Sequence, residues 1–424
     1  MQDAAAILDR VTDTRATVSP AARPSPPEAA GAAAPVPAPE TEERRTAPVE
    51  LLWDLVFVFA ITQVTALLAH RASWSRFGQA MLILALMWWA WSAFVWAANA
   101  HPAQSRTLRN CLLAGTVLIF VSGLAVPRAF EGESLLFAAS YAAVRFLHLA
   151  VYIDASRRGN AQRSAIVGFA VTVVIGMVLL LVGALLTGWG RTALWALAVA
   201  IDYAGPAWLT RERLRGLQAV AVAHFAERYG TFVIICLGES IVAVGVGIAT
   251  VAAGAGTAAR HFDAALVLSA TLPVLVAVGM WWTYFDRTAD AAQDRLRTHA
   301  DPVLAAADAY SYLHLLIIAG IVIFAGGVKL VVHNSISAPM PDAGRLAMCG
   351  GTAVYLIGLA AFRLRILGEA GLERIGAALA LLVLYLVSGG FPAWLVGVLI
   401  AAVLAVACAV EAAAGESPDV PASS

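Results

Sequence analysis

Two carboxylates stand at the front of the first long apolar run, VELLWDLVFVFAITQV: Glu50 and Asp54. Four residues apart on a helix, they share one face. Thr65, eleven residues beyond Asp54, returns to nearly that face, and Thr62 adds a hydroxyl close by. A second run, HFAERYGTFVIICLGESIVAVG, gathers His224, Glu227 and Arg228 at its start and places Glu239 deep inside, between Gly238 and Ser240. Arg228 and Glu239 are also eleven residues apart, about three helical turns, so they project from nearly one face. Small neighbours beside Glu239 would let a helix or an ion approach it closely. A third run, YAAVRFLHLAVY, carries Arg145 and His148; Asp202 and Asp286 lie at the ends of two more. Ionisable groups inside apolar helices cost about 3 kcal/mol each at the centre of a membrane helix, and they usually line ion paths or proton relays.

Each group also has a blander reading. Glu50 sits where a carboxylate complements the positive end of a helix dipole; Asp54, a turn deeper, fits that role less well. Glu239 would also serve as a structural salt-bridge partner or a protonated, hydrogen-bonded acid. An arginine keeps its charge in a protein, so Arg145 needs an anion; Glu239 is the expected partner, Asp54 the second choice. His148, His224 and His314 are expected to be hydrogen-bonded rather than metal-bound. Cys111, Cys236, Cys349 and Cys408 lie within apolar runs, spaced for neither a disulfide framework nor a zinc site, and read as packing residues. The tryptophan pairs at 88–89 and 281–282 are likewise expected to pack in the core. No cofactor or metal is expected.

The elements holding these groups follow from composition. Of 424 residues, 60% are hydrophobic and 13% charged; a soluble domain has roughly 45–50% apolar and about 25% charged residues. Apolar runs near 20 residues recur, long enough to cross a bilayer as helices. The sequence predicts an all-α, polytopic membrane bundle of about twelve spans, near 51–69, 77–98, 109–127, 134–155, 165–187, 190–208, 225–250, 263–285, 303–327, 345–366, 373–389 and 391–412. Under that count 19 basic residues fall on one side and seven on the other, Lys329 among the seven, which puts both termini in the cytoplasm. Residues 1–47, rich in Ala and Pro, are expected to be a disordered tail, and 415–424 a short polar one. The halves 48–216 and 217–414 echo each other: ELLWDLVFVF with ERYGTFVIIC, MWWAWSAF with MWWTYFDR, LLAGTVLIFVSG with IIAGIVIFAGG, and AVRFLHLAVY with AVYLIGLAAF. A six-span offset makes them parallel repeats about the membrane normal.

Four blocks carry a family resemblance: ELLWDLVFVFAITQ at 50–63, WWAW at 88–91, IDYAGP at 201–206 and HFAERYGTFVIICLGES at 224–240. They resemble bacterial low temperature requirement protein A (LtrA), with Trp53 where many relatives have Phe. The resemblance implies a multi-spanning inner-membrane protein linked by name to growth in the cold, and brings no reaction with it. DLVFVFAIT at 54–62 is also similar to the first span of a two-repeat lysosomal and bacterial potassium-channel family, whose Phe-Ser-Asp motif is replaced here by Trp53-Asp54 and is missing from span 7. That likeness implies architecture, not potassium selectivity.

Three functions are weighed. The leading one is a channel or secondary transporter for a small ion or solute, its path lined by polar positions of spans 1, 4 and 7 in a cavity between the repeats. The others are a structural or regulatory membrane protein and a membrane-embedded enzyme; against the last, the chain has no HExxH, nucleophile elbow, P-loop or GxGxxG. The expected partners are the lipid bilayer and a small ion or solute, with no nucleic acid; a homo-oligomer is left open.

Overall fold

Backbone amides inside hydrocarbon have no water to bond, so apolar runs of this length fold as helices that satisfy themselves. Within the described residues the twelve runs do so in the computed structural model, which describes residues 46–70, 72–99, 101, 105–158, 163–205, 221–254, 264–332 and 336–415. The helices are α1 Pro48–His70, α2 Trp74–Asn99, α3 Arg106–Ala125, α4 Ser134–Arg157, α5 Arg163–Ala184, α6 Gly188–Ala204, α7 Val222–Gly254 and α8 Ala264–Phe285. There follow α9 Thr288–Arg297, α10 Pro302–Ala306, α11 His314–Val331, α12 Asp342–Leu367, α13 Leu372–Val387 and α14 Ala393–Gly415. Among the described residues, ten segments are long and apolar enough to cross a membrane. Spans six and eleven of the sequence reading are the short helices, α6 with 17 residues and α13 with 16. The expected tails lie outside the described residues, apart from Thr46, Ala47 and Gly415.

Local chemistry sets several helix ends. Ser105 caps α3 by accepting from the amide of Leu108, and Asp301 caps α10 in the same way, with Pro302 at the first helical position. Gly368, at φ +82°, ends α12 in the left-handed conformation that glycine adopts without a Cβ penalty. The spacing did not anticipate two elements. One is the charged helix α9. The other is a π-helical stretch, Ala307–Leu313, joining α10 to α11; such turns widen a helix by one residue.

Packing runs in the same order through both halves. α1 packs on α2 and α3, α3 on α4, α4 on α5, α5 on α6, and α6 back on α2. Further on, α7 packs on α8 and α11, α11 on α12, α12 on α13, α13 on α14, and α14 back on α8. Glycines permit the tightest of these contacts. A Cβ at Gly320 or Gly327 of α11, or at Gly351 or Gly358 of α12, would collide with the backbone of the facing helix. These positions recur every seven residues on each helix, so each pair lies on one face. α1 joins the halves by packing on both α7 and α11.

Large apolar side chains stay exposed along the outer faces, such as Leu55, Val117, Val178, Val246 and Leu386. Around helices of membrane length, lipid is the medium that suits such a surface. Trp281 and Trp282 belong to it, 42% and 50% exposed. That corrects the core role expected for this pair: α8 turns their side of the helix outward, whereas Trp88, Trp89 and Trp91 are buried. Cys236 and Cys349 are buried, Cys111 and Cys408 partly so, and all four are free thiols.

Candidate functional site

The eleven-residue spacings of α1 and α7 meet. Asp54 faces Arg228, and Thr65 faces Glu239, so one seam between the two helices carries two polar layers about 16 Å apart at 1.5 Å per residue.

The first layer lies at the start of both helices. Arg228 Nη2 donates to Asp54 Oδ1 at 2.6 Å, and Trp91 Nε1 donates to the same oxygen at 2.7 Å. Arg228 Nη1 lies 3.6 Å from Glu50 Oε2. That oxygen also accepts from the Ala47 amide at 2.9 Å and meets His224 Nε2 at 3.0 Å. Glu50, Asp54, His224 and Arg228 are each 1% exposed. Glu50 thus both caps its helix and pairs across the seam, so the dipole reading and the pairing reading hold together. Asp54 Oδ2, Arg228 Nε and His224 Nδ1 have no hydrogen-bond partner.

The second layer adds a third helix. Thr65 Oγ1 donates to Glu239 Oε1 at 2.7 Å, and Thr62 Oγ1 donates to Glu239 Oε2. The cation here is Lys329 of α11, its Nζ 2.8 Å from Glu239 Oε1 and 2.7 Å from Thr65 Oγ1. Lys329 reaches the seam because Gly326, one turn earlier, lets α11 close on Leu68 of α1. Aromatic rings fill the space between the layers. Phe57 and Phe232 lie 6.1 Å apart, and Phe232 packs against Trp91 at 4.2 Å and Trp88 at 5.5 Å.

Arg145 is not part of this seam. Its Nη2 donates to Asp202 Oδ1 at 2.8 Å, a pair between α4 and α6 inside the first half. This corrects the expected pairing with Glu239, whose cation is Lys329. The physical reason is the neighbourhood of α4, which packs on α2, α3 and α5. His148 lies nearby among the rings of Phe94, Tyr152 and Phe169. Two further candidates for the path also lie away from the seam. Glu227 is exposed, one residue round the helix from Arg228. Asp286 is 44% exposed and pairs with Arg287 at 3.6 Å. Ser240 is buried with its hydroxyl unpartnered.

Sequence reading missed several participants. Lys329 read as a loop charge because it ends an apolar run; it occupies the last turn of α11. Arg374 also read as a loop charge, yet it is 1% exposed and donates to both oxygens of Glu411 at 2.6 Å, tying α13 to α14. Ser311, in the π-helical stretch, meets Trp88, Trp96, Ser92 and Tyr229. The serine and tryptophan content of α2 hinted at this cluster, but its centre lies on another helix. His314 bonds through both nitrogens, to Ala309 O at 3.0 Å and Tyr284 Oη at 2.8 Å. No group of three or more metal-ligating side chains occurs among the described residues.

Long apolar helices, a lipid-suited surface and buried charge along a helix seam define a polytopic α-helical membrane protein. The chain belongs to the bacterial low temperature requirement A protein (LtrA) family, which it matches over residues 45–409. It is similar to an uncharacterized protein of Rhizobium meliloti (strain 1021), 30% identical over 332 residues, covering 75% of this chain and 77% of that one. No solved structure matches it.

Proposed function

We propose that this protein is a channel or secondary transporter for a small ion, with its path along the α1–α7 seam. The single observation carrying this reading is the two-layer seam itself. Charge costs least at the rim of a membrane protein, yet Glu50, Asp54, Arg228 and Glu239 are each 1% exposed. The layers are stacked along the helix axes, as a path across the membrane requires, and aromatic side chains close the space between them. The path is thus shut in this conformation, and transport requires the rings around Phe232 to part.

The proposal includes the wider architecture: twelve spans, both termini cytoplasmic, in the bacterial inner membrane. It also takes the halves as parallel six-helix repeats. The recurrence of helix neighbours under a six-span shift supports the repeat, α1–α3 corresponding to α7–α11 and α2–α6 to α8–α14. The seam then lies where the first helix of each repeat meets the other.

One observation favours a structural role instead. Each buried carboxylate of the seam already has a cationic partner, and paired charges can fix helix register without moving anything. Ion flux separates the two readings. Full-length protein reconstituted in liposomes is expected to pass a small cation, and Glu239→Gln to abolish the flux while folding normally. Equal flux in both proteins would remove Glu239 from the path.

A further inference from the structure

The chain holds 28 basic residues and only one lysine. That lysine is Lys329, in the second polar layer of the seam. Its side chain is 15% exposed, against 1% for Glu239. An ammonium has three donors, and this one finds three oxygens: Glu239 Oε1 at 2.8 Å, Thr65 Oγ1 at 2.7 Å and the Thr62 carbonyl at 3.3 Å. A carboxylate, a hydroxyl and a main-chain carbonyl converging on one point are hard oxygen donors, the kind that hold alkali cations. A guanidinium, planar and forked, could not fill the place of a compact cation as an ammonium does.

The two threonines add a further property. Thr62 Oγ1 also lies 3.0 Å from Val58 O, and Thr65 Oγ1 lies 2.9 Å from Thr62 O. Each hydroxyl has one hydrogen and two acceptors within reach, its own helix or Glu239. Turning the hydrogen to the helix carbonyl leaves the oxygen lone pairs facing Glu239, where they can bind a cation. The site therefore need not unfold or strip a hydrogen bond to change occupant.

We propose that Glu239, Thr62 and Thr65 form a binding site for a small monovalent cation, with the Lys329 ammonium as its tethered competitor. When the cation binds, the Lys329 ammonium, on a side chain that is 15% exposed, swings out of the site, and the net charge beside Glu239 is unchanged. Exchange of one monovalent cation for another at a fixed carboxylate gives the second layer a way to release its ion. The role in transport rests on the reading above; the binding does not.

The test uses full-length protein purified in detergent, with thermal unfolding followed in NaCl, LiCl or KCl against choline chloride at equal ionic strength. Lys329→Met leaves Glu239 without its tethered cation. It is expected to unfold earlier than wild type in choline and to recover with at least one alkali cation, at a concentration at least tenfold below any that stabilises wild type. Glu239→Gln/Lys329→Met is expected to be indifferent to the salt. Lys329→Met responding to no alkali cation more than to choline would overturn the proposal. Should that variant not fold, equilibrium binding of radioactive sodium, rubidium and lithium-displaced sodium to wild type and Lys329→Gln decides. Saturable binding lost in Glu239→Gln supports the site, and its absence from both proteins overturns it. Cation binding without liposome flux would defeat the transport reading alone; flux without Glu239-dependent binding would defeat this site alone.

Discussion

Arg145 and Asp202 pose the sharpest residue-level question, because both are buried and their charges face each other between α4 and α6. Arg145 Nη2 and Asp202 Oδ1 lie 2.8 Å apart, and each charge is offset chiefly by the other. Removing one member strands the other's charge, at a cost of about 3–5 kcal/mol for a buried pair. Arg145→Leu is therefore expected to lower the thermal unfolding temperature markedly in detergent, and Arg145→Leu/Asp202→Leu to regain most of the loss. A double variant no better than the single one would show that the arginine does something other than neutralise Asp202. Asp54→Asn should behave differently. The amide keeps an oxygen for Trp91 and Arg228, so the fold should persist while ion flux falls; a variant that fails to reach the membrane would place Asp54 among the fold's struts instead.

At the scale of elements, the α11–α12 crossing depends on glycine. A side chain at Gly320 would meet the backbone of Tyr355, and one at Gly351 the backbone of Phe324. Gly320→Val is expected to force the helices apart and to reduce both stability and the yield of folded protein. Gly376→Ala of α13, where nothing lies within 4 Å, is expected to change little, since alanine is the better helix former. Comparable losses in both would contradict the close-packing account. The helices were largely legible in the sequence, since apolar length alone marks them: the run at 77–98 became Trp74–Asn99, and that at 345–366 became Asp342–Leu367. The eleven-residue spacings Asp54–Thr65 and Arg228–Glu239 were legible too, because helical geometry fixes which residues share a face. Partners across helices were not. Nothing in one helix says that Arg145 meets α6, or that Lys329 crosses to α1. The π-helical stretch also left no mark, for its extra residue interrupts the apolar period only within a single turn.

For the whole molecule, the order of the two halves leads to a topology prediction. If twelve helices cross the membrane, reporters fused at residues 40 and 418 should both signal from the cytoplasm, as the distribution of arginine on the two sides requires. A periplasmic signal from one of them would mean an odd number of crossings and would break the parallel relation of the halves. The central claim is narrower: the α1–α7 seam is the path. Ile61 sits seven residues after Asp54 and four before Thr65, on the seam face by helical spacing, and is 1% exposed. The direct measurement replaces Ile61 with cysteine in full-length protein whose four native cysteines are serine, then follows ion flux in liposomes as a positively charged thiol reagent is added. The reagent is expected to modify the new thiol while ions flow, and flux then to stop. Flux that continues undiminished with the thiol unmodified would contradict that claim.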